Sequence, residues 1–221
     1  MALLRGNSTL GLLAAIVFLD FLAEQMLVSL LLLYLESRFH LSSWQLGCQL
    51  MLVGCAASLS LLFVVPWLQP AVGDLRLMQL GMAANVVSVG LFAFVQRPWQ
   101  AFLPPLGCVL SFAVFPTANA LAAAAVPRSQ GGMAQGIVSG ARTLAEGLSP
   151  VVFGWLFQIA ARSALPGWPF LVAAGCVVLA WAVSCRVPGA PRPHSEAAAG
   201  CVGGALLGNA SQRPQARGRA C

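Results

Sequence analysis

Six stretches of this sequence are long enough and apolar enough to cross a membrane: Leu10–Tyr34, Trp44–Pro66, Leu77–Val95, Trp99–Leu121, Gln135–Ala160 and Trp168–Cys185. A hydrocarbon core of roughly 30 Å takes about 20 residues of helix to span. No water reaches that depth, and a helix bonds its own backbone groups internally. The expected fold is therefore an all-α membrane protein with six spanning helices. The connections are short (Glu36–Ser43, Trp67–Arg76, Gln96–Pro98, Ala122–Ala134 and Ala161–Gly167), so consecutive helices should lie antiparallel and adjacent. This divides the chain into an N-terminal segment over residues 1–9, a six-span domain over 10–186 and a tail over 187–221. Pro, Gly, Ala, Ser and Arg dominate that tail, so it is expected to be disordered and solvated.

Composition agrees. Hydrophobic residues make up 59% and charged residues 8%, against about 25% charged in a soluble domain. The lipid bilayer is the first partner this implies. The net charge of +6 comes from arginine alone, with no lysine in the chain. A nucleic-acid surface needs its cations clustered on one face, and here most stand singly between apolar runs, so no nucleic-acid partner is expected. Their distribution sets topology instead. Arg5, Arg76, Arg128, Arg186, Arg192, Arg213, Arg217 and Arg219 fall on one side, against Arg38, Arg97 and Arg162 on the other. The positive-inside rule then puts both termini in the cytoplasm, and the sequons at Asn7 and Asn209 out of reach of glycosylation. A signal peptide is the rival reading of the start, but Leu10–Tyr34 is too long for one and contains Asp20 and Glu24.

Nothing points to an enzyme, a metal site or a cofactor. The seven cysteines show no C-x-x-C spacing, and five lie in or beside apolar runs where a thiol acts as a small hydrophobe. His40 and His194 fall in a loop and in the tail, and no G-x-S-x-G, H-E-x-x-H or phosphate-loop motif occurs.

Ionisable groups inside the runs are the candidate site. An Asp, Lys or Arg at mid-membrane costs ~2.5–3.5 kcal/mol on insertion scales, so its retention suggests use. In the first run Asp20 and Glu24 share a face, with Tyr34 on the same face nearer the far end. Two acids this close in low dielectric resist ionising together, so one is poised to take up and release a proton. The competing reading is structural pairing with a neighbouring helix or an arginine. At 100° per residue the fifth run shows three faces. Gln135, Ser139, Arg142, Glu146 and Ser149 form a polar stripe. Gly132, Gly136, Gly140, Thr143, Gly147, Pro150 and Gly154 form a small-residue stripe suited to close helix packing. Ile137, Ala141, Leu144, Leu148, Val151 and Trp155 form a lipid face. Arg142 could pair with Glu146 four residues on, or face Asp20 or Glu24 across the bundle. In the fourth run Pro104-Pro105 and Phe115-Pro116 interrupt the helix, with Thr117 and Asn119 just beyond.

Three segments carry a resemblance: Phe115-Pro116-Thr117-Ala118-Asn119-Ala120, Gln135-Gly136-Ile137-Val138-Ser139-Gly140-Ala141-Arg142, and Gly147-Leu148-Ser149-Pro150-Val151-Val152-Phe153-Gly154. They resemble the tenth and eleventh helices of major facilitator superfamily transporters, and within it the hippocampus abundant transcript group, relatives of tetracycline-resistance efflux pumps. Leu22-Ala23-Glu24 and Leu33-Tyr34-Leu35 resemble that group's seventh helix. Glu24 and Arg142 match its pattern, whereas Asp20 and Glu146 depart from it. Val72-Gly73-Asp74-Leu75-Arg76 occupies the place of a degenerate superfamily loop signature. The resemblance covers roughly residues 10–186 and implies a six-helix bundle equivalent to one half of the major facilitator fold, whose substrate sits between two halves. It implies secondary transport of a small organic solute, proton-linked through Glu24, with Arg142 in the cavity wall. A half supplies one wall of a cavity, so the expected partners are a second copy in a homodimer or a complementary six-span half. The alternative is a membrane interaction or assembly protein that keeps the fold and does not transport.

Overall fold

A computed structural model of the chain describes residues 8–160 and 167–187. The expectations for residues 1–7, for Arg162 and for the tail beyond Val187 lie outside the described residues.

Six helical segments appear where the apolar runs lie. They are α1 (Ser8–Phe39), α2 (Ser43–Val72), α3 (Asp74–Ala93), α4 (Pro98–Ala124), α5 (Arg128–Ala160) and α6 (Trp168–Ser184). The first five are long and apolar enough to cross a bilayer. At 17 residues, α6 sits at the short end of the spanning range.

The links are tighter than the hydropathy suggests. His40 takes a positive φ of 50° between α1 and α2. Ser42 then caps α2, its hydroxyl accepting from the Gln45 backbone N–H while the Gln45 side chain accepts from the Ser42 N–H. The expected Trp67–Arg76 loop shrinks to one residue. Helix α2 continues to Val72, Gly73 turns the chain at φ 88°, and Asp74 opens α3. Only glycine takes that φ freely. The Asp74 carboxylate sits at the positive end of α3 and accepts from Gln69 Nε2 at 2.6 Å.

Prolines shape α2 and α4. A π-helical turn over Ser60–Val64 precedes Pro66, which has no N–H to give and crowds the carbonyl four residues back. Pro104-Pro105 breaks α4 into a 3₁₀ turn (Pro98–Phe102), a short helix (Pro104–Gly107), a second 3₁₀ turn (Ser111–Ala113) and a final helix (Val114–Ala124). Pro116 falls in the first turn of that last helix, where a proline is tolerated, so it does not break the helix as expected. Thr117 Oγ1 donates to the Ala113 and Val114 carbonyls at 2.7 and 2.9 Å.

Helix α1 is the hub, packed against α5, α6 and the end of α4, while α3 packs on α6 and α4. At one end of the bundle Tyr34, Phe92, Phe157 and Phe170 from α1, α3, α5 and α6 form an aromatic cluster, with ring centroids 5.1–5.8 Å apart. Helix α2 stands apart, burying Gln49, Ala56, Ser60 and Val65 while Trp44, Met51, Leu62, Phe63 and Trp67 are exposed. Helices that share lipid gain little from hydrophobicity alone, so backbone approach decides the packing. A Cβ on Gly81 would come within 2.8 Å of Leu110 O and Val114 Cγ2. One on Gly167 would meet Ala93 O at 2.7 Å.

Candidate functional site

Asp20 and Glu24 lie one turn apart on α1, the helix most enclosed by its neighbours. Asp20 is wholly buried. Its Oδ1 accepts from Asn85 Nδ2 of α3 at 2.9 Å, and its Oδ2 has no partner among the described residues. Glu24 is half-buried and borders a pocket between α1, α2, α3 and α4. It sits in the field of Asp20, Arg142 and Glu146, and no ion pair holds it among the described residues.

Across from α1, the Arg142 Nε donates to Glu146 Oε1 at 2.7 Å, one turn along α5. The guanidinium also stacks over Phe21 of α1 and Phe115 of α4, its Cζ 4.6 and 4.5 Å from the ring centroids. Between the two pairings left open by the sequence, the contact is therefore the local one, with two rings completing the cage. Ser149 Oγ donates to the Leu22 carbonyl at 2.7 Å and ties α5 to α1.

The spans thus gather three acids, Asp20, Glu24 and Glu146, around one cation, Arg142. Were all ionised, the cluster would carry a net charge of 1 − 3 = −2, and each uncompensated charge costs several kcal/mol at that depth.

The other candidates are placed elsewhere. Tyr34 lies in the aromatic cluster, 7% exposed, nearer the far end of α1 from the acids. Asn119 keeps a buried Oδ1 without a partner among the described residues, and Gln135 is exposed.

The small-residue stripe of α5 requires a correction. A Cβ at Gly132, Gly136, Gly140, Gly147 or Gly154 would meet nothing within 4 Å, so no helix of the described residues packs there. The face that α5 buries is a fourth one, Ala134, Val138, Ala145 and Phe153, set between the polar stripe and the apolar face and joined by Ser149 from the polar stripe. The predicted lipid face is largely exposed, with Leu144 at 59% and Val151 at 73%. Sequence reasoning also passed over Asn85 and Gln49. Both are single amides within apolar runs, where no polar stripe or helix break draws attention to them.

Comparison with known proteins agrees with this architecture. A family profile described as Major Facilitator Superfamily matches residues 13–215. The human hippocampus abundant transcript 1 protein is 25% identical over 209 residues, covering 83% of this chain and 43% of the relative. The bovine hippocampus abundant transcript-like protein 1 is 26% identical over 218 residues, covering 89% and 43%. A class G tetracycline resistance protein of Vibrio anguillarum is 29% identical over 171 residues, covering 77% and 42%. The chain thus spans about two fifths of the length of the curated relatives it matches. It belongs to the Major Facilitator Superfamily, as a transporter-like, multi-pass membrane protein whose six helices are equivalent to one half of that fold.

Proposed function

We propose that this chain forms one wall of a secondary transporter for small organic solutes, proton-linked through Glu24, with both termini in the cytoplasm. The cavity would be closed by a second copy or by a complementary six-span half. One observation carries this reading: Glu24 lies at mid-span beside a pocket, in the field of Asp20, Arg142 and Glu146, with no ion pair to hold its charge. A structural carboxylate would be neutralised in place. One that changes charge with the conformation around it can move a proton, because the cost of ionising it depends on which neighbours face it. The relative named for tetracycline resistance makes an organic solute the reasonable class. Glu24→Gln keeps the side chain's shape and removes its charge. In proteoliposomes, solute uptake driven by a pH gradient is expected to fall at least tenfold with folded protein unchanged. Equal uptake by the variant would end the coupling role.

A second reading, an assembly protein that keeps the fold without transporting, draws on the open glycine stripe of α5. Stepwise photobleaching in native-like bilayers separates the two. The transport reading expects two six-span units per complex, because a lone unit would leave Arg142 and Glu146 facing lipid. A clean population of stable single copies would defeat it.

A further inference from the structure

The pocket between α1, α2, α3 and α4 has a volume of about 70 Å³, several times the ~10–15 Å³ that one water needs. Its walls are mostly apolar, and the polar groups on them are Glu24, Gln49, Asn85, Cys108 and Ser111. Gln49 is 1% exposed. Its Nε2 donates to the Ala101 carbonyl at 3.0 Å, and a carbonyl can only accept, so the amide's orientation is settled. The Oε1 is left buried and without a partner among the described residues. Asn85, which also lines the pocket, gives a proton of its Nδ2 to Asp20. Ser111 spends its proton on the Cys108 carbonyl at 2.7 Å, so its oxygen too can only accept. Ser111 has thus spent its proton, Gln49 and Asn85 have each committed one amide proton to a partner, and together with Glu24 these side chains have oxygens to offer the pocket. Arg142, the intramembrane cation, is held by Glu146 between two rings on the other side of the site.

We propose that this pocket is a binding site for a hard monovalent cation, with Glu24, Gln49, Asn85 and Ser111 supplying oxygens and Asp20 positioning Asn85. One carboxylate among neutral amide and hydroxyl oxygens matches a single positive charge, whereas divalent cations gather more carboxylates. The charged groups around the site are Asp20 and Glu24 from α1 and Arg142 and Glu146 from α5, while α2 and α3 contribute neutral amides and hydroxyls. Binding is an equilibrium property and needs no solute to cross, so its failure leaves the transport reading standing and the reverse also holds.

Sodium is the probe. The full chain in lipid nanodiscs at pH 8 is expected to bind radioactive sodium saturably, with N-methylglucamine as the balancing cation. Gln49→Met, similar in size but without the oxygen, is expected to weaken binding at least tenfold, and Leu144→Ala on the exposed face of α5 to leave it within twofold. No saturable binding, or unchanged binding by a folded Gln49→Met variant, would overturn the proposal. Should that variant not fold, the native chain gives the same answer through Cys108, which lines the pocket. Sodium is expected to slow its alkylation at least threefold relative to N-methylglucamine and to leave the exposed Cys55 unaffected. An alkylation rate for Cys108 indifferent to sodium would equally refute it.

Discussion

Gly81→Leu is expected to prevent the bundle from assembling, while Gly140→Leu on the same chain is expected to leave its stability nearly unchanged. At Gly81 even a Cβ would lie 2.8 Å from the Leu110 carbonyl oxygen and 2.8 Å from Val114 Cγ2. Valine could turn aside, but a backbone carbonyl inside a packed α3–α4 contact cannot. Overpacking typically costs 1–3 kcal/mol, so Gly81→Ala should sit near ~2–3 kcal/mol and leucine beyond it. At Gly140 a Cβ meets open space, and a substitution away from any contact usually stays within about 0.5 kcal/mol. Thermal unfolding in detergent, read by size-exclusion fluorescence, compares the two directly. Equal melting of both variants would mean that α3 and α4 do not approach as described. If a second unit packs on the glycine stripe, Gly140→Leu should lower the subunit count in bilayers without lowering the melting point of the chain.

Arg142→Leu is the other change expected to have a large effect, and its companion Arg142→Leu with Glu146→Leu is expected to undo most of the damage. Removing the guanidinium leaves Glu146 without its partner at 2.7 Å and three acids with no cation among them. Truncating one member of a close charge pair costs roughly 2–5 kcal/mol. The side chains of Arg142 and Glu146 are 38% and 32% exposed, which puts the expected loss at the lower end, about 2–3 kcal/mol. Replacing both with apolar residues removes the unpaired charge, and such exchanges are often neutral. Two rings still face the site after Glu146→Leu alone, and Arg142 keeps its stacking on them, so that single change should be the milder one. A double-mutant cycle on unfolding free energies measures the coupling. A double variant as unstable as Arg142→Leu alone would show that the pair does not act as a unit.

Helix α5 shows how far its faces could be read in advance. A 100° periodicity sorts the sequence into polar, glycine and apolar stripes, because side-chain chemistry follows the angle around a helix. The stripe that reaches the core, Ala134, Val138, Ala145, Ser149 and Phe153, mixes small, branched, hydroxyl and aromatic residues, and so has no single chemical label. Glycine carries a similar ambiguity. It marks places where a backbone can approach, but the approach also needs a neighbour, and the neighbours appear at Gly81 and Gly167 rather than along α5.

The acids were legible for a different reason. A carboxylate in a run of leucine and valine is conspicuous because hydrocarbon penalises it, and Asp20 and Glu24 stand out on that ground alone. Their partners do not. Asn85 is 65 residues from Asp20, and an amide in an apolar run carries a small enough penalty to pass as packing. Arg142 was visible as a charge, but whether it reached Glu146 or α1 depended on where Phe21 and Phe115 closed around it.

Hydropathy and charge by themselves thus determined that this chain is helical, that it lies in a bilayer with six segments, and that charge is held at mid-span. Those properties follow from the cost of placing each residue in lipid, which is additive along the chain. The tertiary structure alone decided the rest: the Asp20–Asn85 bond, the Arg142 cage, the pocket behind Gln49 and the glycines that bear contact. These depend on atoms brought together from distant helices, and since lipid solvates most apolar faces about equally well, backbone approach and polar pairing select which faces meet.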